Sequence, residues 1–267
     1  MNAMISIRNV TKKFKEFVAV DDINLEVKEG EIFGFLGPNG AGKSTTIKML
    51  TTLQRPTSGN LLLGGFNVTT EQDAARKMFG IVFQDPSLDD ELTAYENMQL
   101  HAVLYNLDKK MMKERTQELM TLVELWDRKD SRVKTFSGGM KRRLEIARGL
   151  LHHPKILFLD EPTLGLDAQT RNLLWNYISK LNEQEGMTIF FTTHYLGEAE
   201  VIADRIAIID HGKIVASGNT EELKQQTNTE NLEAAYLQLT GKAVRDESLD
   251  SEGSRKEIYR RIIANRR

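Results

Sequence analysis

The sequence predicts an α/β fold, a mostly parallel sheet joined to an antiparallel β subdomain and an α-helical subdomain, on three observations. Four short runs, Glu31 to Leu36, Gly80 to Phe83, Ile156 to Leu159 and Thr188 to Phe191, are apolar almost throughout. Strands of that kind are buried on both faces, as in a parallel sheet covered by helices. Met4 to Val10 and Ile23 to Val27 instead alternate apolar and polar residues, the pattern of half-buried antiparallel strands. Between Asp89 and Leu151 the period becomes helical: Met112, Thr116, Leu119, Val123 and Trp126 share one side, with Lys113, Glu114, Gln117 and Glu118 on the other.

In chain order, the alternating pair comes first, as a small sheet wrapped around the buried run that follows it. The helical insert, about 89–151, interrupts the sheet between the second and third buried runs, with Met111 and Met112 read as its core and rim. Arg205 to Ser217 reads as a hairpin, two apolar runs joined through Asp210, His211 and Gly212. Beyond Gly218 helices are expected at Thr220 to Gln225 and Leu232 to Leu239, then a charged segment from Gly241 to Gly253. Residues 1–218 form one expected domain and 219–267 a C-terminal helical extension with a charged tail. Near the end Ile258, Tyr259, Ile262 and Ile263 fall on one stripe among basic residues. So short a helix is marginal alone in water, which favours a solvated terminus.

At 267 residues the chain is long enough to bury roughly 75% of its surface, so neither disulfide nor metal staple is required. It has no cysteine, in keeping with a reducing compartment. Its 36 basic and 38 acidic side chains exert no global pull on nucleic acid or anionic lipid. Met1 to Phe14 lacks the apolar core of a signal peptide, and no stretch approaches the ~20 apolar residues that span a bilayer. A cytoplasmic address is expected.

Gly37-Pro38-Asn39-Gly40-Ala41-Gly42-Lys43-Ser44-Thr45 follows the run ending at Leu36 and opens the helical stretch to Leu53, the context that makes this pattern a P-loop. Successive backbone N–H groups converge on phosphate only where no side chain intrudes, hence the glycines, and the helix N-terminus adds partial positive charge. Lys43 is placed to neutralise the β- and γ-phosphates and the Ser44 hydroxyl to bind Mg²⁺. Alone, the motif says NTPase or kinase. The run Ile156 to Leu159 ends in Asp160 and Glu161. A buried strand that ends so sets Asp160 at the sheet's C-terminal edge, where it can hold Mg²⁺ through water. Glu161 points differently and is the candidate base for the water behind the γ-phosphate.

Phe136-Ser137-Gly138-Gly139-Met140 supplies an N-cap, Ser137, for a helix running to Leu151, and two glycines that leave N–H groups bare for an anion. Each glycine costs about 1 kcal/mol against alanine in a helix, so two in succession need a reason. His152 and His153 read as a solvated helix end, since adjacent helical residues point apart and no further ligand completes a metal site.

On these residues the chain resembles the nucleotide-binding domains of ABC transporters, P-loop NTPases with a RecA-like core. Ser137, Gly138 and Gly139 match that family's signature, Gln84 its Q-loop, Leu164-Gly165-Leu166-Asp167 its D-loop, and His194 its switch histidine. Phe14 matches the aromatic on which adenine stacks. The resemblance runs from about Ile5 to Gly241. It implies catalytic roles for Glu161, His194, Gln84 and Lys43, Mg²⁺ at Ser44, Gln84 and Asp160, and ATP held by Phe14, the loop Gly37 to Thr45 and the signature. Met140 stands where many members have Gln, and Phe14 where Tyr is commoner.

Phe136 to Arg148, Glu161 to Asp167 and Thr192-Thr193-His194-Tyr195 are most similar to exporters of the daunorubicin-resistance type. That resemblance implies drug-like or lipid-like cargo, a separately encoded integral-membrane permease, a homodimer or pairing with a related ATPase subunit, and a place on the inner face of the cell membrane through the permease. No nucleic-acid partner is expected. The rival is a non-transport ABC ATPase acting on ribosomes or DNA, but such members carry two domains in one chain or long coiled-coil inserts. A regulatory module without turnover is disfavoured because Glu161 and His194 are both present.

Overall fold

Why the site forms where it does follows from how the strands are ordered. The computed structural model describes residues 3–85 and 87–241. The chain opens with an antiparallel hairpin of β1 (Ala3–Phe14) and β2 (Phe17–Lys28), closing where Phe14 faces Phe17. Both strands outrun the alternating stretches seen in sequence. Register shifts between Ile7 and Lys13 let pairing continue past the polar residues, as bulges do. The fully buried β3 (Ile32–Leu36) runs into the P-loop and α1 (Lys43–Leu50). β4 (Ser58–Leu63) and β5 (Phe66–Asn67) then complete a four-stranded sheet in the order β2-β1-β4-β5.

α2 (Gln72–Lys77) leads to β6 (Phe79–Val82). The helical insert follows as α3 (Ala94–Leu104), α4 (Lys109–Leu122), 3₁₀ turns at Trp126–Arg128 and Val133–Thr135, and α5 (Gly138–Gly149). Side-chain caps start these helices: Thr93 forms a capping box with Glu96, Asp108 caps α4 and Ser137 caps α5. The rest is β7 (Ile156–Asp160), α6 (Ala168–Glu185), β8 (Thr188–Thr193), α7 (Leu196–Ile202), the hairpin β9 (Arg205–Asp210) and β10 (Lys213–Gly218), α8 (Thr220–Thr227) and α9 (Leu232–Thr240).

The second sheet has the order β10-β9-β3-β8-β7-β6, parallel throughout except for β10. Its residues divide alternately between two cores. Leu36, Leu157, Leu159, Ile189, Phe191 and Ile208 face the helical side. Phe33, Phe35, Phe158, Phe190 and Ile209 face α1 and the antiparallel sheet. Burial on both faces is what the continuous apolar runs predict. On the second side Phe190 sits 5.5 to 5.7 Å, ring centre to ring centre, from Phe33, Phe35 and Phe158, within the range of favourable aromatic pairing.

His152 departs from the solvated helix end read from the sequence. α5 stops at Gly149, so His152 lies beyond it, its ring stacked on Tyr105 at 3.8 Å and its Nε2 2.9 Å from the Phe79 carbonyl. Burial lowers its pKa to about 4. The charged segment after Gly241 and the stripe at Ile258 to Ile263 lie outside the described residues.

Candidate active site

Five parallel strands end along one edge, and that edge gathers chemistry scattered through the chain. Leu36 pairs with Thr193, Thr192 with Asp160, and Leu159 with Val82. The residues that follow these ends, the P-loop, Glu161, His194 and Gln84, therefore emerge side by side. They line a cleft of about 840 Å³ together with Phe14 and Ser44.

The P-loop turns into α1 through Gly42, whose φ of +112° excludes ordinary side chains and whose added Cβ would stand 2.6 Å from the Ala19 carbonyl. Lys43, 6% exposed, donates from Nζ to the carbonyls of Gly37 at 2.7 Å and Pro38 at 3.3 Å and lies 3.9 Å from Glu161 Oε1. Burial lowers its pKa, opposed by the carboxylates of Glu161 and Asp160. Ala41 is buried beneath the loop.

Asp160 and Glu161 are both buried. Asp160 Oδ1 accepts from Thr192 Oγ1 at 2.6 Å and from Ser44 Oγ at 3.5 Å. Glu161 is a non-glycine residue at φ +50°, a conformation that persists only when its surroundings over-determine it. Its N–H donates to the Thr192 carbonyl and Oγ1, and its carbonyl accepts from Arg142 Nη2 at 3.3 Å. Its Oε2 lies 2.8 Å from His194 Nδ1. That hydrogen bond raises the His194 pKa, with burial working against it. Phe14 is 41% exposed at the cleft rim, with Lys12 Nζ 4.9 Å from its ring centre.

Ser137, Gly138 and Gly139 stand outside this cleft. Ser137 Oγ accepts from the Met140 N–H at 3.3 Å, the expected cap. Gly139 also has a packing reason: an added Cβ would come within 2.4 Å of Thr170 Cγ2, so a larger residue there requires the Thr170 side chain at the start of α6 to shift.

Several residues of the site escaped sequence reasoning. Phe17 lines the cleft beside Phe14, and its place opposite Phe14 across the hairpin turn was the available signal. Tyr236, from α9, also lines the cleft, and nothing local in sequence points to it. Thr192 holds the Asp160 carboxylate and the Glu161 N–H, and Arg142 holds the Glu161 carbonyl.

Fold and site together define a P-loop ATPase. Residues 20–164 match the ABC transporter family. The chain is 41% identical to the daunorubicin/doxorubicin resistance ATP-binding protein DrrA of Streptomyces peucetius, over 93% of this chain and 75% of that protein. It is 42% identical to the linearmycin resistance ATP-binding protein LnrL of Bacillus subtilis, over 82% and 70%. Among solved structures, one described as the ATP-binding subunit of an ABC transporter superposes with a TM-score of 0.81 at 28% identity, covering 88% of this chain and 99% of its own. A dimeric ATP-binding cassette bound to ADP and Pi superposes at 0.73 with 30% identity, covering 81% and 98%. The chain belongs to the ABC transporter family, as one of its ATPases.

Proposed function

We propose that this chain hydrolyses ATP in a head-to-tail dimer, a homodimer or a pairing with a related ATPase subunit, and so drives a separately encoded membrane permease that exports drug-like or lipid-like cargo. One observation carries the dimer: the cleft that unites Lys43, Glu161 and His194 lacks Ser137, Gly138 and Gly139. The bare N–H groups at the start of α5 then serve the γ-phosphate of a nucleotide on a second copy, and two ATP molecules bridge the pair.

In this reading adenine stacks on Phe14 while the triphosphate lies over the N–H groups from Gly37 to Thr45. Lys43 exchanges the Gly37 and Pro38 carbonyls for phosphate oxygens. Glu161 accepts a proton from the water that attacks the γ-phosphorus as the bond to ADP breaks, and Gln84 and His194 orient that water and the γ-phosphate. Because Glu161 Oε2 is engaged by His194, that contact rearranges as the water is seated. The hydroxyl of Ser44 and the carboxylate of Asp160 are adjacent hard oxygens, which suit Mg²⁺, with Gln84 as a third. When bound, Mg²⁺ neutralises charge on the β- and γ-phosphates.

Coupling to a permease is supported by α3, which follows the Q-loop and exposes Leu100, Val103 and Leu104, an apolar patch of the kind that marks an interaction surface. No helix among the described residues is long and apolar enough to cross a membrane. In this proposal the chain sits at the cytoplasmic face, held there by its permease. Affinity capture of the tagged chain from membranes of its own cell tests this. Recovery of an integral-membrane protein whose presence alters ATPase rate is expected, and recovery of ribosomes or DNA instead would favour the rival reading.

A further inference from the structure

We propose that Arg142, held by Glu145, is a positioning residue for hydrolysis: its guanidinium fixes the backbone of Gln84 and of Glu161 to the helix that Ser137 caps. The two side chains lie one turn apart on α5 and are 6% and 1% exposed. Arg142 Nη1 donates to the Phe83 carbonyl and, at 3.3 Å, to Glu145 Oε2. Its Nη2 donates to the Gln84 carbonyl at 3.2 Å and the Glu161 carbonyl at 3.3 Å. The same helix face continues the clamp, because Glu145 Oε1 accepts from the Ser87 N–H at 2.7 Å and Arg148 donates to the Ser87 carbonyl at 2.7 Å.

Stability is a poor explanation for this arrangement. Burying an ion pair carries a desolvation cost that often cancels the attraction, and apolar packing serves a core as well. Geometry explains it better. The acceptors belong to two separate segments, the Q-loop and the turn after β7, and only a planar fork with several donors reaches carbonyls in both. An ammonium is a single point of charge and does not span them. One of those carbonyls belongs to Glu161, whose backbone is held at φ +50°. Thr192 restrains its N–H, and on the other side Arg142 shares the carbonyl with the Leu164 N–H, tying it to α5. Removing the fork detaches from α5 the peptide that aims the Glu161 carboxylate, leaving it held only by its local bonds to Thr192 and Leu164, with the P-loop and Phe14 untouched.

A consequence rests on the head-to-tail dimer proposed above. α5 presents its N-terminus to the nucleotide of a second copy, while five residues beyond the cap Arg142 grips the groups that act on this copy's own nucleotide. Seating the helix at one site is thereby transmitted to the hydrolytic groups of the other.

The test uses the full chain and two variants, Arg142→Lys and the double variant Arg142→Gln with Glu145→Gln, which removes both charges and leaves neither buried alone. ATP affinity by calorimetry and hydrolysis under single-turnover conditions are measured well below each melting temperature. The expected result is a loss of roughly 10-fold or more in the hydrolysis rate constant, since small misplacements of reacting groups carry penalties of that size, with ATP affinity changed less than about twofold. In heterodimers with a Lys43→Ala subunit, the loss is expected when Arg142→Lys sits on the subunit with the intact P-loop. Folded variants that hydrolyse within about twofold of the parent, or a loss confined to the other subunit, overturn the inference. A parent chain without ATPase activity would instead sink the reading on which it rests.

Discussion

His194 Nδ1 lies 2.8 Å from Glu161 Oε2, so the residue read as switch and the residue read as base are partners in the same hydrogen bond. The contact joins the end of β8 to the end of β7, neighbouring strands that the chain separates by a whole helix. It gives Glu161 a defined direction before any substrate is considered and makes the charge on His194 depend on its neighbour.

Glu161→Gln retains the shape of the side chain and removes its basicity. ATP binding by calorimetry should stay close to the parent, while turnover should fall on the order of 10²-fold or more, the usual worth of general-base assistance. The variant should also accumulate as an ATP-bound dimer on size exclusion. Turnover equal to that of the parent would remove Glu161 from the role of base.

The His194 pKa is raised above its ordinary 6.5 by the hydrogen bond to Glu161. A cationic form favoured in the folded chain contributes stability that is fully present below the unfolded pKa of about 6.5 and is lost as pH rises through the higher folded value. Urea midpoints of the parent and of His194→Gln, compared across pH, should therefore differ most in mild acid and converge above that window. A difference that does not change with pH would show that the pair adds no proton-linked stability.

A Lys43→Ala subunit and a Ser137→Arg subunit should each be inactive as homodimers. Mixed, they leave one composite site intact and one doubly broken, so part of the ATPase activity should return. Absence of recovery in a proven heterodimer would count against signature action across the interface.

Phe14→Ala should weaken nucleotide binding by about 1–3 kcal/mol, the range for stacking of a base on an aromatic ring, and should affect ATP and GTP alike. With Phe17 lining the same cleft, the loss should be partial. A dissociation constant unchanged by calorimetry would reduce Phe14 to strand packing.

How far each feature was legible in the sequence follows from how local its cause is. The P-loop, the Ser137 cap and the hairpin through His211 and Gly212 are written in consecutive residues, because a phosphate cradle, an N-cap and a turn with positive φ at both central positions each depend on the conformation of a few neighbours. The buried runs were readable as strands for the same reason, since burial on both faces demands apolar residues throughout. Their order was not: Gly80 to Phe83 and Thr188 to Phe191 are equally apolar, and nothing in either run says that β8 lies between β3 and β7 or that β6 closes the sheet. Tertiary packing made that choice, and with it brought Lys43, Glu161 and His194 into one cleft and left Ser137 outside. Arg142 was hidden for a related reason. Its acceptors are backbone carbonyls at Phe83, Gln84 and Glu161, and every residue has a carbonyl, so only the folded chain shows which ones a buried guanidinium meets.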